Sequence, residues 1–274
     1  VTIDKKDGGS RTLLVPCGLL KGVQRNILHH VLDERPVSSC AQAYRKGTDI
    51  RGNASCHLGK KLVLKLDISH FFDSILFPRV YGAAFPETLF PPAAAMLLTS
   101  LCCCNERLPQ GSPASPAISN LVMRPFDIYM DGWCRERGIA YTRYCDDMTF
   151  SGDFDAAALC SKVRSYLEAM GFTLNEKKTK LLTGDVRQSV TGIVVNDKLQ
   201  VSREYRKKLR QEVYYCKKYG IDAHLERVEA DTGIRWEKER YICSVQGRLR
   251  FVLQVNPQDD EFAGYCREWK ELFM

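Results

Sequence analysis

Leu62-Val63-Leu64-Lys65-Leu66-Asp67-Ile68 constrains the fold more than any other stretch of the chain. The run is short and mostly apolar, and its length favours a central strand over a buried helix. Its near-end residue is acidic, Asp67. A strand of this kind needs partners on both sides and a core around it, so the chain should hold a mixed sheet with helices packed against it.

The flanking pattern agrees. Asp7-Gly8-Gly9-Ser10 is a turn signal ahead of a strand over 11–16. Leu20, Val23, Ile27 and Val31 recur at helical spacing until Pro36. Ile118, Leu121, Val122, Phe126 and Met130 share one face of a helix over 115–137. Residues 140–151 read as two short strands meeting near Asp146-Asp147, and 155–170 as a helix ended by Gly171. A hairpin over 190–201 is expected, turning at Asn196-Asp197. After Ser202 the pattern is helical only, over 203–218, 236–254 and 259–273. Mixed elements followed by helices alone place a boundary near residue 201.

Composition narrows the class. With 274 residues, 45% hydrophobic and 27% charged, the chain can bury a large core and is not disordered. No stretch approaches the roughly 18 consecutive apolar residues of a membrane helix. The opening residues carry no signal-peptide pattern. Twelve cysteines in so large a chain read as reduced, mostly buried thiols rather than a disulfide framework. No CxxC pair supports a zinc site. These features set the expectation of a cytoplasmic protein. The net charge of +7 leans mildly toward polyanionic partners. The excess gathers over 203–218, where Arg203, Arg206, Lys207, Lys208, Arg210, Lys217 and Lys218 face only two glutamates.

Three acidic residues stand apart: Asp67, Asp146 and Asp147. Neighbouring residues in a regular strand point to opposite faces, so Asp146 and Asp147 converge only where the backbone turns. Adjacent carboxylates also raise each other's pKa unless a cation holds them. Two readings stand: a divalent-metal site of hard oxygen ligands, or an ordinary acidic turn in solvent.

The surrounding motifs decide between them. Leu66-Asp67-Ile68-Ser69-His70-Phe71-Phe72, Leu108-Pro109-Gln110-Gly111-Ser112-Pro113, Tyr144-Cys145-Asp146-Asp147 and Gly171-Phe172-Thr173-Leu174-Asn175-Glu176-Lys177-Lys178 follow in order. As a set they resemble motifs A, B, C and D of reverse transcriptases. Asn53-Ala54-Ser55-Cys56-His57 resembles the Asn-Ala-x-x-His signature of bacterial retron reverse transcriptases, and Val190-Thr191-Gly192 resembles the triplet that follows motif D in the same group.

The resemblance implies an α+β right-hand polymerase fold, with fingers and palm over 1–201 and an all-helical thumb over 202–274. It implies RNA-directed DNA synthesis with two Mg2+ ions, Mn2+ being a possible substitute. Asp67, Asp146 and Asp147 would be catalytic and hold the metals with the help of the Ile68 carbonyl. Lys178 would protonate the leaving pyrophosphate, with Lys177 a competitor by spacing. Phe72 would exclude a ribose 2′-hydroxyl, one of Phe71 and Phe72 being core. Gln110 and Gly111 would lie beside the deoxynucleoside triphosphate. Arg11 and Arg25, with Lys21 as an alternative, would clamp its phosphates. Asn53, His57, Val190, Thr191 and Gly192 would serve the cognate RNA, and Arg203, Arg206, Lys207 and Arg210 a duplex backbone. The implied template and primer is a structured non-coding RNA. Its product is RNA-linked single-stranded DNA made in antiphage defence with a separate effector protein, in a bacterial cytoplasm and away from membranes. No appended nuclease or maturase domain is expected. A group II intron or diversity-generating reverse transcriptase, or a catalytically silent RNA-binding scaffold, are the alternatives.

Overall fold

The computed structural model describes residues 2–4 and 10–273. Most of the Asp7–Ser10 turn lies outside the described residues, as does the side chain of Arg11. The chain divides into two compact units, Val1–Val186 and Arg187–Met274.

In the first unit β1 (Thr2–Asp4) and β2 (Ser10–Thr12) pair antiparallel. Helix α1 (Gly18–Ile27) runs into a single π-helical turn, Leu28–Leu32. After α2 (Ile50–Ser55) comes β3 (Leu62–Ser69), then α3 (Phe77–Ala84), α4 (Pro92–Cys102) and α5 (Ser115–Arg135). Strands β4 (Ala140–Tyr144) and β5 (Asp147–Gly152) form a hairpin, followed by α6 (Ala156–Ala169), β6 (Thr173–Leu174) and β7 (Lys180–Thr183).

Strand β3 is central, as its apolar run requires. It pairs antiparallel with β5 along one side, and with β7 and then β6 along the other. Helix α5 carries Pro116 in its first turn, where the missing N–H costs nothing, and buries Ile118, Val122, Phe126 and Met130 in the core of this unit. Truncating any one of these large side chains to alanine should cost roughly 2–5 kcal/mol. The Asp155 carboxylate caps α6 by accepting from the N–H groups of Ala157 and Ala158.

The strand expected over 11–16 stops at Thr12. The chain then passes the motif B loop, where the Leu14 N–H donates to the Gln110 carbonyl at 2.8 Å. Helix α4 was not legible in the pattern.

In the second unit β8 (Ser189–Val190), β9 (Ile193–Val194) and β10 (Gln200–Val201) form a small antiparallel sheet. Four helices follow: α7 (Arg203–Tyr219), α8 (Ile221–Thr232), α9 (Lys238–Val255) and α10 (Asp260–Phe273). The unit boundary therefore falls at Val186–Arg187, ahead of the position near 201 set by the pattern. The physical reason is that β8, β9 and β10 pair with one another and β10 packs on α9, so these strands share the helices' core. The β9–β10 hairpin turns through Asn196-Asp197, as expected, and a second, tighter turn joins β8 to β9: Thr191-Gly192, with φ of 46° and 84°, the two positive values a type I′ hairpin demands.

None of the twelve cysteines is in a disulfide. Among the described residues no helix is long and apolar enough to cross a membrane.

Candidate active site

The β4–β5 hairpin closes on the pair Tyr144 and Asp147, leaving Cys145-Asp146 as a two-residue loop. Cys145 has φ of 61° while Asp146 does not share a positive value, the pattern of a II′ turn. Glycine usually occupies the first position of that turn. A side chain there stores roughly 1–3 kcal/mol of strain, which the surroundings must hold.

The turn places the carboxylates. Asp147 stands directly opposite Asp67 in the β3–β5 ladder, so the two share one face of the sheet. Asp146 is tied to β3 through its carbonyl, which accepts from the Ile68 N–H at 3.2 Å. The Asp67 carboxylate accepts from Lys178 Nζ at 2.9 Å and from the Asn175 amide at 3.2 Å. Lys178 is held in its charged form, first by that hydrogen bond and then by the charges of Asp67, Asp146 and Asp147. Burial pushes Asp146 up, with Asp67 adding to it. Asp147 is pushed up to about 6 by its desolvating surroundings and then by Asp146, although its side chain keeps an open edge to solvent. Lys178, not Lys177, is thus the lysine of the cluster.

A cleft of about 480 Å3 lies over this floor, walled by Asp67, Asp146, Lys178, Asn175, Phe72 and Gln110. A second, of about 400 Å3, shares Phe72 and Gln110 and adds Gly111, Tyr44, Lys21 and Arg25. Phe71 is buried and packs edge-on against Phe72 at 5.3 Å, so one ring is core and the other faces the clefts, as the sequence suggested. Gly111 has φ of 124°, and a Cβ there would come within 2.9 Å of the Leu14 carbonyl. The backbone that approaches this glycine is the chain's own. Arg25 and Lys21 reach the second cleft, whereas the Arg11 side chain lies outside the described residues.

Several expected RNA contacts are corrected. His57 is fully buried, bonding Ser151 at 2.7 Å and Thr142 at 2.8 Å, and burial pushes its pKa down to about 4. Asn53 is buried beside it in sequence on α2, and Val190 is buried in the second unit. None of the three reaches a surface. Their segment binds the fold together, whereas Thr191 and Gly192 sit at a hairpin tip with open space around the glycine. Arg206 is turned inward on α7, paired with Asp259 and with Glu261 at 2.9 Å, and stacked over Phe262. Arg210 pairs with the same Glu261 at 2.6 Å. Both arginines join α7 to the start of α10. Arg203 and Lys207 are exposed, and they continue through Gln211, Tyr214 and Lys218 as one exposed stripe at helical spacing.

Sequence reasoning missed the support beneath the turn. Arg143 and Asp127, both fully buried, form a two-pronged ion pair at 2.8 and 2.7 Å. Arg143 also donates to the Cys145 carbonyl at 2.8 Å and to Asn120 at 3.2 Å. Asn120 and Asp127 stand seven residues apart on α5, a spacing that signals a shared helix face and nothing about which β-strand they meet.

The fold and this floor of carboxylates define a class, and comparison with known proteins agrees. Residues 3–220 match the family model described as reverse transcriptase (RNA-dependent DNA polymerase), and the chain belongs to that family. Among curated relatives, the retron Mx65 reverse transcriptase of Myxococcus xanthus is 35% identical over 94% of this chain and 61% of its own length. The retron Ec86 reverse transcriptase of Escherichia coli is 31% identical over 93% of this chain and 75% of its own. The chain thus spans about three-fifths to three-quarters of these relatives. Among solved structures, a Candida albicans telomerase in complex with a TWJ fragment of telomeric RNA superposes with a TM-score of 0.51. It is 10% identical, over 92% of this chain and 55% of that one. That likeness concerns the fold, the mixed helix-and-sheet architecture of right-hand polymerases.

The family implies dependence on a divalent metal. Among the described residues no three His, Cys, Asp or Glu side chains are grouped to hold an ion as they stand, and the Asp67 oxygens accept from Lys178 and Asn175. The donor chemistry nevertheless fits a hard cation. The donors are carboxylate oxygens, and the proton affinity of Asp146 and Asp147, raised first by burial and then by the neighbouring carboxylates, is what a bound cation would offset.

Proposed function

We propose that the chain is an RNA-directed DNA polymerase of the retron type, working at the floor formed by Asp67, Asp146 and Asp147. The observation that carries the reading is the set of three carboxylates around Lys178 beneath a cleft walled by Phe72 and Gln110. Asp67, Asp146, Asp147 and the Ile68 carbonyl would hold two Mg2+ ions, with Mn2+ a substitute. Bound there, the metals would activate a primer hydroxyl and neutralise the leaving diphosphate.

The chain's own residues do the rest. Lys178 carries on Nζ a proton that it can deliver to the leaving group. Gln110 and Gly111 form a rigid wall beside the nucleotide, since the Leu14 backbone pins them from behind. Phe72, braced by Phe71, would stand against a ribose 2′-hydroxyl. Arg25 and Lys21 supply positive charge for phosphates at the rim. The unit ending at Val186 would serve as fingers and palm, and the unit from Arg187, helices and small sheet together, as thumb. The stripe Arg203, Lys207, Gln211, Tyr214 and Lys218 would follow a duplex backbone without reading sequence.

Similarity to retron reverse transcriptases supports a structured non-coding RNA as template and primer, an RNA-linked DNA product and a separate effector. The bacterial relatives support a bacterial cytoplasm. The test is to incubate the protein with a primer annealed to RNA, deoxynucleoside triphosphates and Mg2+. Primer extension is expected. RNA retained on a filter with no extension would instead mark a silent scaffold.

A further inference from the structure

The carboxylate turn is fastened from below by groups that no substrate can touch. Arg143 spends its donors on four bonds: two to Asp127, one to Asn120 and one to the Cys145 carbonyl. Asp127 also accepts from the Tyr141 hydroxyl at 2.8 Å. Arg143 and Asp127 have no exposed surface, so water cannot replace these bonds, and each is strengthened by its low-polarity surroundings.

The same residues hold a second segment. The Arg143 N–H donates to the Cys40 carbonyl at 2.8 Å, and its carbonyl accepts from Gln42 at 2.7 Å. The Asn120 amide donates to the Ala43 carbonyl at 2.9 Å. The next residue, Tyr44, has φ of 58° and walls the second cleft with Phe72 and Gln110. The network is therefore flanked by two non-glycine residues in the left-handed region, Tyr44 and Cys145, one in each segment it fastens. Such strain persists only where surrounding structure over-determines it. A buried ion pair is weak as a source of stability, since apolar residues of similar volume often serve as well. What this pair supplies is a defined place for each segment.

We propose that Arg143, Asp127 and Asn120 are positioning residues that set two walls of the cleft together. Arg143 places Asp146 through the Cys145 carbonyl, and Asn120 places Tyr44 through the Ala43 carbonyl. Tyr44 is thereby a nucleotide-contacting wall rather than loop surface. The inference rests on the polymerase reading above.

Four variants test it: Arg143→Lys, Asn120→Ala, Tyr141→Phe, and Val163→Ala as a control, an apolar side chain buried on α6 that takes no part in the network's hydrogen bonds. Mn2+ binding to the free protein is followed by electron paramagnetic resonance. KM for a deoxynucleotide and kcat are measured on a primed RNA, and Tm reports stability. Arg143→Lys keeps the charge opposite Asp127 but loses the fork. It should weaken Mn2+ binding and lower kcat roughly 10- to 100-fold, the usual effect of removing support behind a metal ligand. Asn120→Ala should raise KM roughly tenfold and leave Mn2+ binding within about threefold. Tyr141→Phe should reproduce the Arg143→Lys pattern more mildly, and it carries the test if the lysine variant does not fold. If the network variants lose Tm as the control does, with Mn2+ binding and KM unchanged, the network is ordinary core and the proposal falls. A wild type that binds Mn2+ but extends no primer overturns the polymerase reading, while the Mn2+ titration still decides the Arg143 part on its own.

Discussion

Arg143 and Arg206 each meet an aspartate, one in each unit, at different depths. The Arg143–Asp127 pair is 0% exposed on both sides, while Arg206 and Asp259 keep 13% and 5%. In the first unit the pair has spare donors, and they end on the backbone of the carboxylate turn. In the second it belongs to a ladder of α7 ion pairs with other helices, which includes Arg210–Glu261, Lys217–Glu268 and Arg248–Glu212. Charge in the first unit is sealed in to fix a loop. Charge in the second joins helices and leaves one face of α7 open. The lesson is that an arginine's role follows from what its remaining donors reach.

The largest effect should come from the carboxylates that the buried pair supports. Asp67→Asn or Asp146→Asn should lower primer extension by at least about a thousandfold, because the charge that holds a cation at the reacting phosphate is lost. RNA retention on filters should stay near wild type, since the open face of α7 is untouched. Wild-type extension by either variant would remove the metal assignment.

A second experiment asks whether Phe72 belongs to the cleft or to the core. Phe72→Val should relax discrimination against ribonucleotides about 10- to 100-fold in a competition assay. An unchanged ratio in an active variant would return Phe72 to core packing with Phe71.

His57 extends the comparison to pH. Its pKa of about 4 in the folded protein lies below the ordinary 6.5. Between those values the unfolded chain takes up a proton that the folded one refuses. Stability is therefore full above about pH 6.5 and falls as pH drops toward 4. Denaturant unfolding should show a loss of about 2 kcal/mol between pH 7 and pH 5, absent in His57→Gln. Hydrogen exchange should place the weakening around β4 and β5, which His57 joins.

The smallest effect separates the two kinds of basic residue on α7. Lys207→Ala should reduce the slope of log affinity against log salt for RNA by about 1. Arg206→Ala should leave that slope alone and lower Tm instead, because its charge is spent on Asp259 and Glu261. Equal slopes in both variants would mean that α7 does not face the nucleic acid.

Local pattern was enough for β3, α5, α6 and α7 and for the order of the four motifs, because apolar periodicity and turn chemistry act over a few residues. Naming Asp67, Asp146 and Asp147 as a site needed the resemblance of the four motifs, since acidic residues at a strand end and a turn read equally well as an ordinary turn in solvent. Helices α4 and α8, and the third strand that makes the 190–201 hairpin a sheet, were illegible. They are short or mixed in charge, and their stability comes from the core they share with distant segments. The choice of Lys178 over Lys177 came from Asp67, 111 residues away in sequence. His57 and Arg206 look like ligands of RNA in a linear reading because a polar side chain has no address until its partners are placed. Ser151 and Thr142 draw one inward and Asp259 the other, and burial with a satisfied partner is a property of the folded chain alone.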